Sequence, residues 1–127
     1  GFGRTGRMFA SEHWDLVGDI MTIAKGLASG YAAIGAVMCR PKVMDAFEED
    51  NKLSHLLTYG GHAGACAAAL ANLVIFEREG LVVNSEKMGI RLKASLEGLS
   101  HHATVGDVRG LGLLTGLELI KDRETRE

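Results

Sequence analysis

The sequence predicts an α/β fold. Three observations carry that prediction. Short apolar runs bounded by glycine alternate with longer segments of helical periodicity. The chain has 127 residues, 46% hydrophobic and 24% charged, the balance of one globular domain with a core. Its 17 glycines cluster at 1–6, 26–35, 60–64 and 106–116, where they break elements instead of forming a linker.

Residues 1–7 read as a glycine-rich loop, and Met8 to Trp14 as a short helix. Asp19 to Ala24 is a compact apolar run between Gly18 and Gly26, which predicts a buried strand with Lys25 at its end. Gly35 to Arg40 reads as a second strand. Pro41 suits the first turn of a helix through Glu48, because its fixed φ is already helical. Residues 49–62 form a polar, then glycine-rich, loop. Ala63 to Arg78 is a helix rich in alanine and leucine, ended by Gly80. Leu81 to Leu99 is a second helix, with Leu81, Met88, Leu92, Leu96 and Leu99 on one face; Gly89 and Gly98 weaken its propensity. Thr104 to Arg109 and Leu113 to Ile120 read as strands separated by Gly110 and Gly112.

The formal net charge is −2 and dispersed, which gives no basis for nucleic-acid or anionic-membrane partners. The runs Leu27 to Cys39 and Ala63 to Phe76 are interrupted, the second by Asn72. Both fall short of the roughly 18 apolar residues a spanning helix needs. No signal peptide is visible. Cys39 and Cys66 read as free thiols of a reducing compartment, which places the protein in the cytoplasm. The five histidines show no ligand spacing, so no metal is expected. The abrupt loop at Gly1 and the charged tail from Lys121 to Glu127 suggest a fragment at both ends.

Lys25 is the first candidate site residue. An amine is nucleophilic when its neutral form is populated, and burial favours that form. Ile23, Ala24, Gly26 and Leu27 around it are small or apolar, a setting in which a lysine can meet a carbonyl cofactor. The same local sequence also allows a lysine that reaches out to water from a strand end.

A resemblance bears on this choice. The segment Asp19-Ile20-Met21-Thr22-Ile23-Ala24-Lys25-Gly26 follows Gly1-Phe2-Gly3-Arg4-Thr5-Gly6 and resembles the lysine motif of class III aminotransferases. Thr58-Tyr59-Gly60-Gly61-His62 and Gly106-Asp107-Val108-Arg109-Gly110-Leu111-Gly112 match further blocks in the family's order, as does Gly116-Leu117-Glu118-Leu119. Ala63-Gly64 and Gly18 stand where the family commonly has proline, which leaves the pose of Thr58 less constrained. The resemblance implies an ω-amino acid:pyruvate transaminase-like enzyme of the pyridoxal-phosphate (PLP) fold type I. Residues 1–100 would be the later part of the large cofactor domain, built on a mostly parallel sheet, and 101–127 the start of the small C-terminal domain.

The resemblance also implies roles. Lys25 would hold PLP as a Schiff base and shuttle the substrate proton. Thr58 would bind the PLP phosphate of the neighbouring subunit, making the active unit a homodimer. Arg109 would grip a substrate carboxylate; on local chemistry alone it would pair with Asp107 or Glu118. The expected reaction passes an amino group from an amino acid or amine to a keto acid in two half-reactions. The phosphate loop, the ring-stacking aromatic and the pyridine-binding aspartate of the family precede Gly1, so the isolated chain is expected to be inactive. Rival readings are an aminomutase, racemase or decarboxylase of the same fold, a dinucleotide-binding module, or an inert remnant. Gly1-Phe2-Gly3-Arg4-Thr5-Gly6 spells a dinucleotide fingerprint, but no strand precedes it.

Overall fold

The computed structural model describes residues 1–47 and 51–125. They form two compact units. One is Asp15–Arg78; the other joins Gly1–Trp14 to Glu79–Glu127.

In the unit Asp15–Arg78, β1 (Ile20–Ile23) pairs antiparallel with β2 (Ala36–Cys39), Ile20 opposite Cys39 and Ile23 opposite Ala36. The ladder is closed at its open end by the Arg40 N–H, which donates to the Asp19 carbonyl at 2.9 Å. Lys42 Nζ lies 2.9 Å from the Asp19 carboxylate, and both groups are exposed. The strand connection begins with a 3-10 turn at Lys25–Leu27. Pro41 opens α1 as expected, but α1 is Pro41–Met44 and ends where the Asp45 N–H closes on the Pro41 carbonyl. Glu48, the expected end, and the start of the loop at Glu49 lie outside the described residues.

α2 (Ala63–Arg78) buries Ala65, Ala69 and Asn72. That spacing of i, i+4 and i+7 puts them on one face, which packs on the Lys25–Leu27 turn beside the buried Leu27 and Ala28. The helix starts where the Ala65 N–H finds the His62 Nδ1 at 3.1 Å, a side-chain cap that needs no serine or aspartate.

In the other unit, α3 (Leu81–Glu97) packs on the antiparallel hairpin of β3 (Val105–Leu111) and β4 (Leu114–Leu119). The N-terminal loop joins them: the Leu113 N–H donates to the Arg4 carbonyl at 2.8 Å. The expected helix at Met8 to Trp14 is a 3-10 helix at Ala10–Trp14, its entry held by the Phe9 N–H on the Glu12 carboxylate at 2.7 Å. Gly110, expected between the strands, lies inside the ladder opposite Thr115, because a two-residue turn suffices to reverse an antiparallel pair.

The glycines are the main correction. Gly89 counted against the helix in the sequence, yet it is the buried residue of α3. A Cβ on Gly89 would lie 2.2 Å from the Gly112 carbonyl carbon, and one on Gly112 would lie 2.4 Å from that of Thr5. Helix, hairpin turn and N-terminal loop thus touch backbone to backbone. The apparent dinucleotide fingerprint belongs to this contact, since a Cβ on Gly6 would meet Glu86 Cβ at 2.9 Å. The mostly parallel sheet implied for the cofactor domain is not seen among the described strands, which form two antiparallel ribbons. Parallel pairing needs a crossover of a dozen or more residues, usually helical. Here β3 and β4 are joined by a two-residue turn, and the stretch between β1 and β2 holds only the 3-10 turn Lys25–Leu27 and no crossover helix.

Candidate active site

Lys25 stands two residues beyond β1. Ala24 is fully extended (φ −161°, ψ −164°) and Lys25 turns sharply to φ +52°. Left-handed φ is unusual outside glycine and is held only where the surroundings impose it. Phe2, Asp15 and Ser29 share it among the described residues, so the conformation alone does not single out Lys25. The turn is tied by Leu27 N–H to Ala24 O and Ala28 N–H to Lys25 O, each at 3.2 Å. Lys25 itself is exposed. The apolar neighbours predicted an enclosed amine, but a two-stranded ribbon has no second layer to cover a side chain at its end.

Sequence reading missed Asn72 as part of this region. Asn72 is buried on α2, and its Nδ2 donates to Gly26 O at 2.9 Å and Leu27 O at 3.1 Å. The available signal was a lone amide inside an apolar, alanine-rich helix, since a buried amide must find partners.

Thr58 is exposed and lines an open cleft of about 670 Å³ in the same unit, with Gly35, Tyr59, Gly61, His62 and Cys66. Gly61 has φ +68° and free space where a Cβ would be, so an anion has room to approach. The Gly60 and His62 N–H groups are engaged by Leu57 O at 2.9 Å and Tyr59 O at 3.2 Å. The Thr58 hydroxyl remains as a side-chain donor that could meet an anion in this cleft. Each group taken singly suits one part of an aldehyde cofactor that carries a phosphate: the accessible Lys25 amine suits the aldehyde and the Thr58 hydroxyl suits a phosphate.

Arg109 lies on β3 in the other unit. Its Nη1 donates to Glu118 at 2.6 Å, across the hairpin, and to Asp107 at 3.0 Å. These partners, Glu118 first, raise the guanidinium pKa above its already high value. Among the described residues, no three His, Cys, Asp or Glu side chains form a metal-binding group, and no helix is long and apolar enough to cross a membrane.

Against known proteins, the family described as aminotransferase class-III matches residues 1–127. A taurine–pyruvate aminotransferase of Bilophila wadsworthia is 46% identical over 133 residues, spanning 100% of this chain and 29% of that protein. An aminotransferase structure from Bacillus anthracis superposes with a TM-score of 0.95 at 44% identity, covering 100% of this chain and 29% of the other. A thermostable (S)-enantioselective omega-transaminase from Thermomicrobium roseum gives a TM-score of 0.95 at 38% identity, with the same shares of 100% and 29%. The chain belongs to the class-III aminotransferases, which are PLP-dependent enzymes of fold type I. It spans 29% of the length of the curated relative named above.

Proposed function

We propose that the full-length protein transfers an amino group from an amino acid or amine to a keto acid, with PLP bound covalently through Lys25. The observation that carries the reading is an accessible amine on a sharp turn after β1, in a chain matched over its whole length by the class-III family. The relative's name points to pyruvate as an acceptor, and we carry that acceptor class over as part of the proposal. PLP supplies an electron sink for the carbanion that forms when the substrate loses its proton. This chain's part is to hold the cofactor and move that proton. The Lys25 amine, once free of the cofactor, would take the proton from the substrate carbon as general base and deliver it to the cofactor C4′ carbon as general acid.

Treating the full-length protein with borohydride in the presence of PLP, then mapping peptides, tests the reading. A reduced phosphopyridoxyl group on Lys25 is expected. A label confined to another lysine overturns the assignment. Product formation that requires an added keto acid separates amino transfer from isomerisation or decarboxylation within the same fold.

Thr58 is the proposed phosphate ligand, reaching the cofactor of a second subunit in a homodimer. Leu53, Leu56, Leu57 and Tyr59 flank it in sequence and are 61 to 93% exposed, large apolar side chains of the kind that another chain covers. Thr58→Val is expected to weaken PLP binding about tenfold, the worth of one hydroxyl on a charged group, with Thr58→Ser near the parent. Titrating cofactor into the stripped protein and following its fluorescence reads this directly.

Arg109 has two readings. As a carboxylate clamp it would either release Glu118 and Asp107 or use Nη2 and Nε, since both pairs are made by Nη1. As found, it is a cross-strand strut, and the double pairing favours that role. If it is the clamp, Arg109→Ala raises KM about ten- to a hundredfold for a keto acid and leaves KM unchanged for an amine without a carboxylate. If it is the strut, both KM values stay together.

The assignment of residues 1–100 to the large domain and 101–127 to the small one belongs to this proposal. Within this chain α3 and the β3–β4 hairpin, on either side of that boundary, pack together. The proposed compartment is the cytoplasm.

A further inference from the structure

We infer that Asn72 is a positioning residue for Lys25, an inference that rests on the reading of Lys25 as the cofactor lysine. The turn Lys25–Leu27 uses its own N–H groups to satisfy Ala24 O and Lys25 O. The next two carbonyls, Gly26 O and Leu27 O, are both taken by the single Nδ2 of Asn72, at 2.9 and 3.1 Å. Lys25 opens this three-residue 3-10 turn with a left-handed φ, a conformation that carries strain and persists where the surroundings restrain it. The restraint comes from α2, 16 residues long, which meets the turn through Ala65, Ala69 and Asn72. The two alanines allow close approach but carry no direction. The amide carries direction, because its two N–H bonds point at two carbonyls in a fixed fork. It does so from a site 91% shielded from water, where a broken hydrogen bond is not replaced by solvent.

The same helix begins four residues beyond the Thr58-Tyr59 pair, capped by His62. α2 therefore runs from the loop of the proposed phosphate ligand to the turn of the proposed catalytic lysine. Asn72 fixes the register between that helix and the lysine turn. A change there shifts the Lys25 amine without touching any group that contacts substrate, and a displacement of about 1 Å at a reacting atom costs on the order of a hundredfold in rate.

The experiment uses the full-length, PLP-loaded enzyme and three variants. N72D keeps the shape and removes the donors; N72L removes all polarity; N72Q keeps the donors on a longer arm. N72D and N72L are expected to lower kcat by about ten- to a hundredfold with KM for donor and acceptor held within about threefold, and N72Q to recover to within about fivefold of the parent. The pH midpoint of the bound cofactor's absorbance is expected to move in N72D and N72L and stay in N72Q. Hydrogen exchange of a peptide covering residues 24–31 is expected to speed up in the same two variants.

Borohydride labelling of the parent separates the two levels of inference. A label on a lysine other than Lys25 removes the foundation, whatever Asn72 does. A label on Lys25, with parental kcat per bound cofactor and an unmoved absorbance midpoint in N72D and N72L, overturns the positioning role and leaves Asn72 as a packing residue. If N72L does not fold, N72D against N72Q decides by the same criteria.

Discussion

Lys25→Ala in the full-length enzyme is expected to lower transamination about ten-thousandfold, the upper range of what a positioned proton-transfer group contributes. The loss has two parts. The cofactor is no longer held covalently by the protein, and the substrate carbon loses the amine that takes its proton. A diffusible amine such as methylamine should restore part of the rate, because it replaces the second function and not the first. Lys42→Ala is the control. It removes an exposed cation that pairs with Asp19 at 2.9 Å near β2, and it should leave both the rate and the borohydride label in place. Full activity of Lys25→Ala without added amine would falsify the assignment. The geometry explains why alanine, which retains the backbone, is a fair test. At φ +52° the turn keeps its own two hydrogen bonds and its two bonds from Asn72, none of which involves the lysine side chain.

Gly112→Ala is expected to be strongly destabilising although it lies away from the site. Its φ is +54°, a conformation in which alanine is strained. Its Cβ would also lie 2.4 Å from Thr5 C, 2.7 Å from Arg4 O and 2.8 Å from Gly6 N, all backbone atoms that cannot rotate away. On the opposite side the Gly112 carbonyl group faces Gly89 of α3 too closely for retreat, with the 2.2 Å approach noted for a Cβ there. Backbone strain and overpacking together should cost roughly 3–5 kcal/mol, a large part of the stability of an ordinary domain. Gly80→Ala isolates the strain. Gly80 has φ +60° but nothing within 4 Å of a Cβ, so only about 1 kcal/mol is expected. Urea midpoints of the two variants in the full-length protein compare them. Equal midpoints would show that the close crossing of loop, hairpin turn and helix is not maintained in solution.

These two cases mark what local sequence can point to and what it leaves out. The cofactor role of Lys25 rests on the family resemblance, since its segment also suits a lysine turned to water; what the segment shows by itself is a local signal, an apolar run ended by a lysine and a glycine. The helices were legible for the same reason, and α2 matches its expected span. Boundaries slipped where a long-range partner decides them. β3 runs through Gly110 to Leu111 because β4 lies opposite, and α1 stops at Met44 although its composition allows another turn. Arg109 shows the limit in another way. Both of its partners were named from the sequence as possibilities, but only the hairpin register, which sets Asp107 opposite Glu118 and Arg109 opposite Gly116, brings both carboxylates to one guanidinium.

From the residues alone came the family resemblance, the alternation of strands and helices, and the proposal of Lys25 as the cofactor lysine. All depend on neighbours in the chain, whose spacing is written in the order of residues. The tertiary structure decided which glycines are contacts, that Lys25 lies exposed on a left-handed turn, and that Asn72 holds that turn from a helix 46 positions away. Those features arise when distant backbones meet at van der Waals distance, and no local periodicity records which backbones those are.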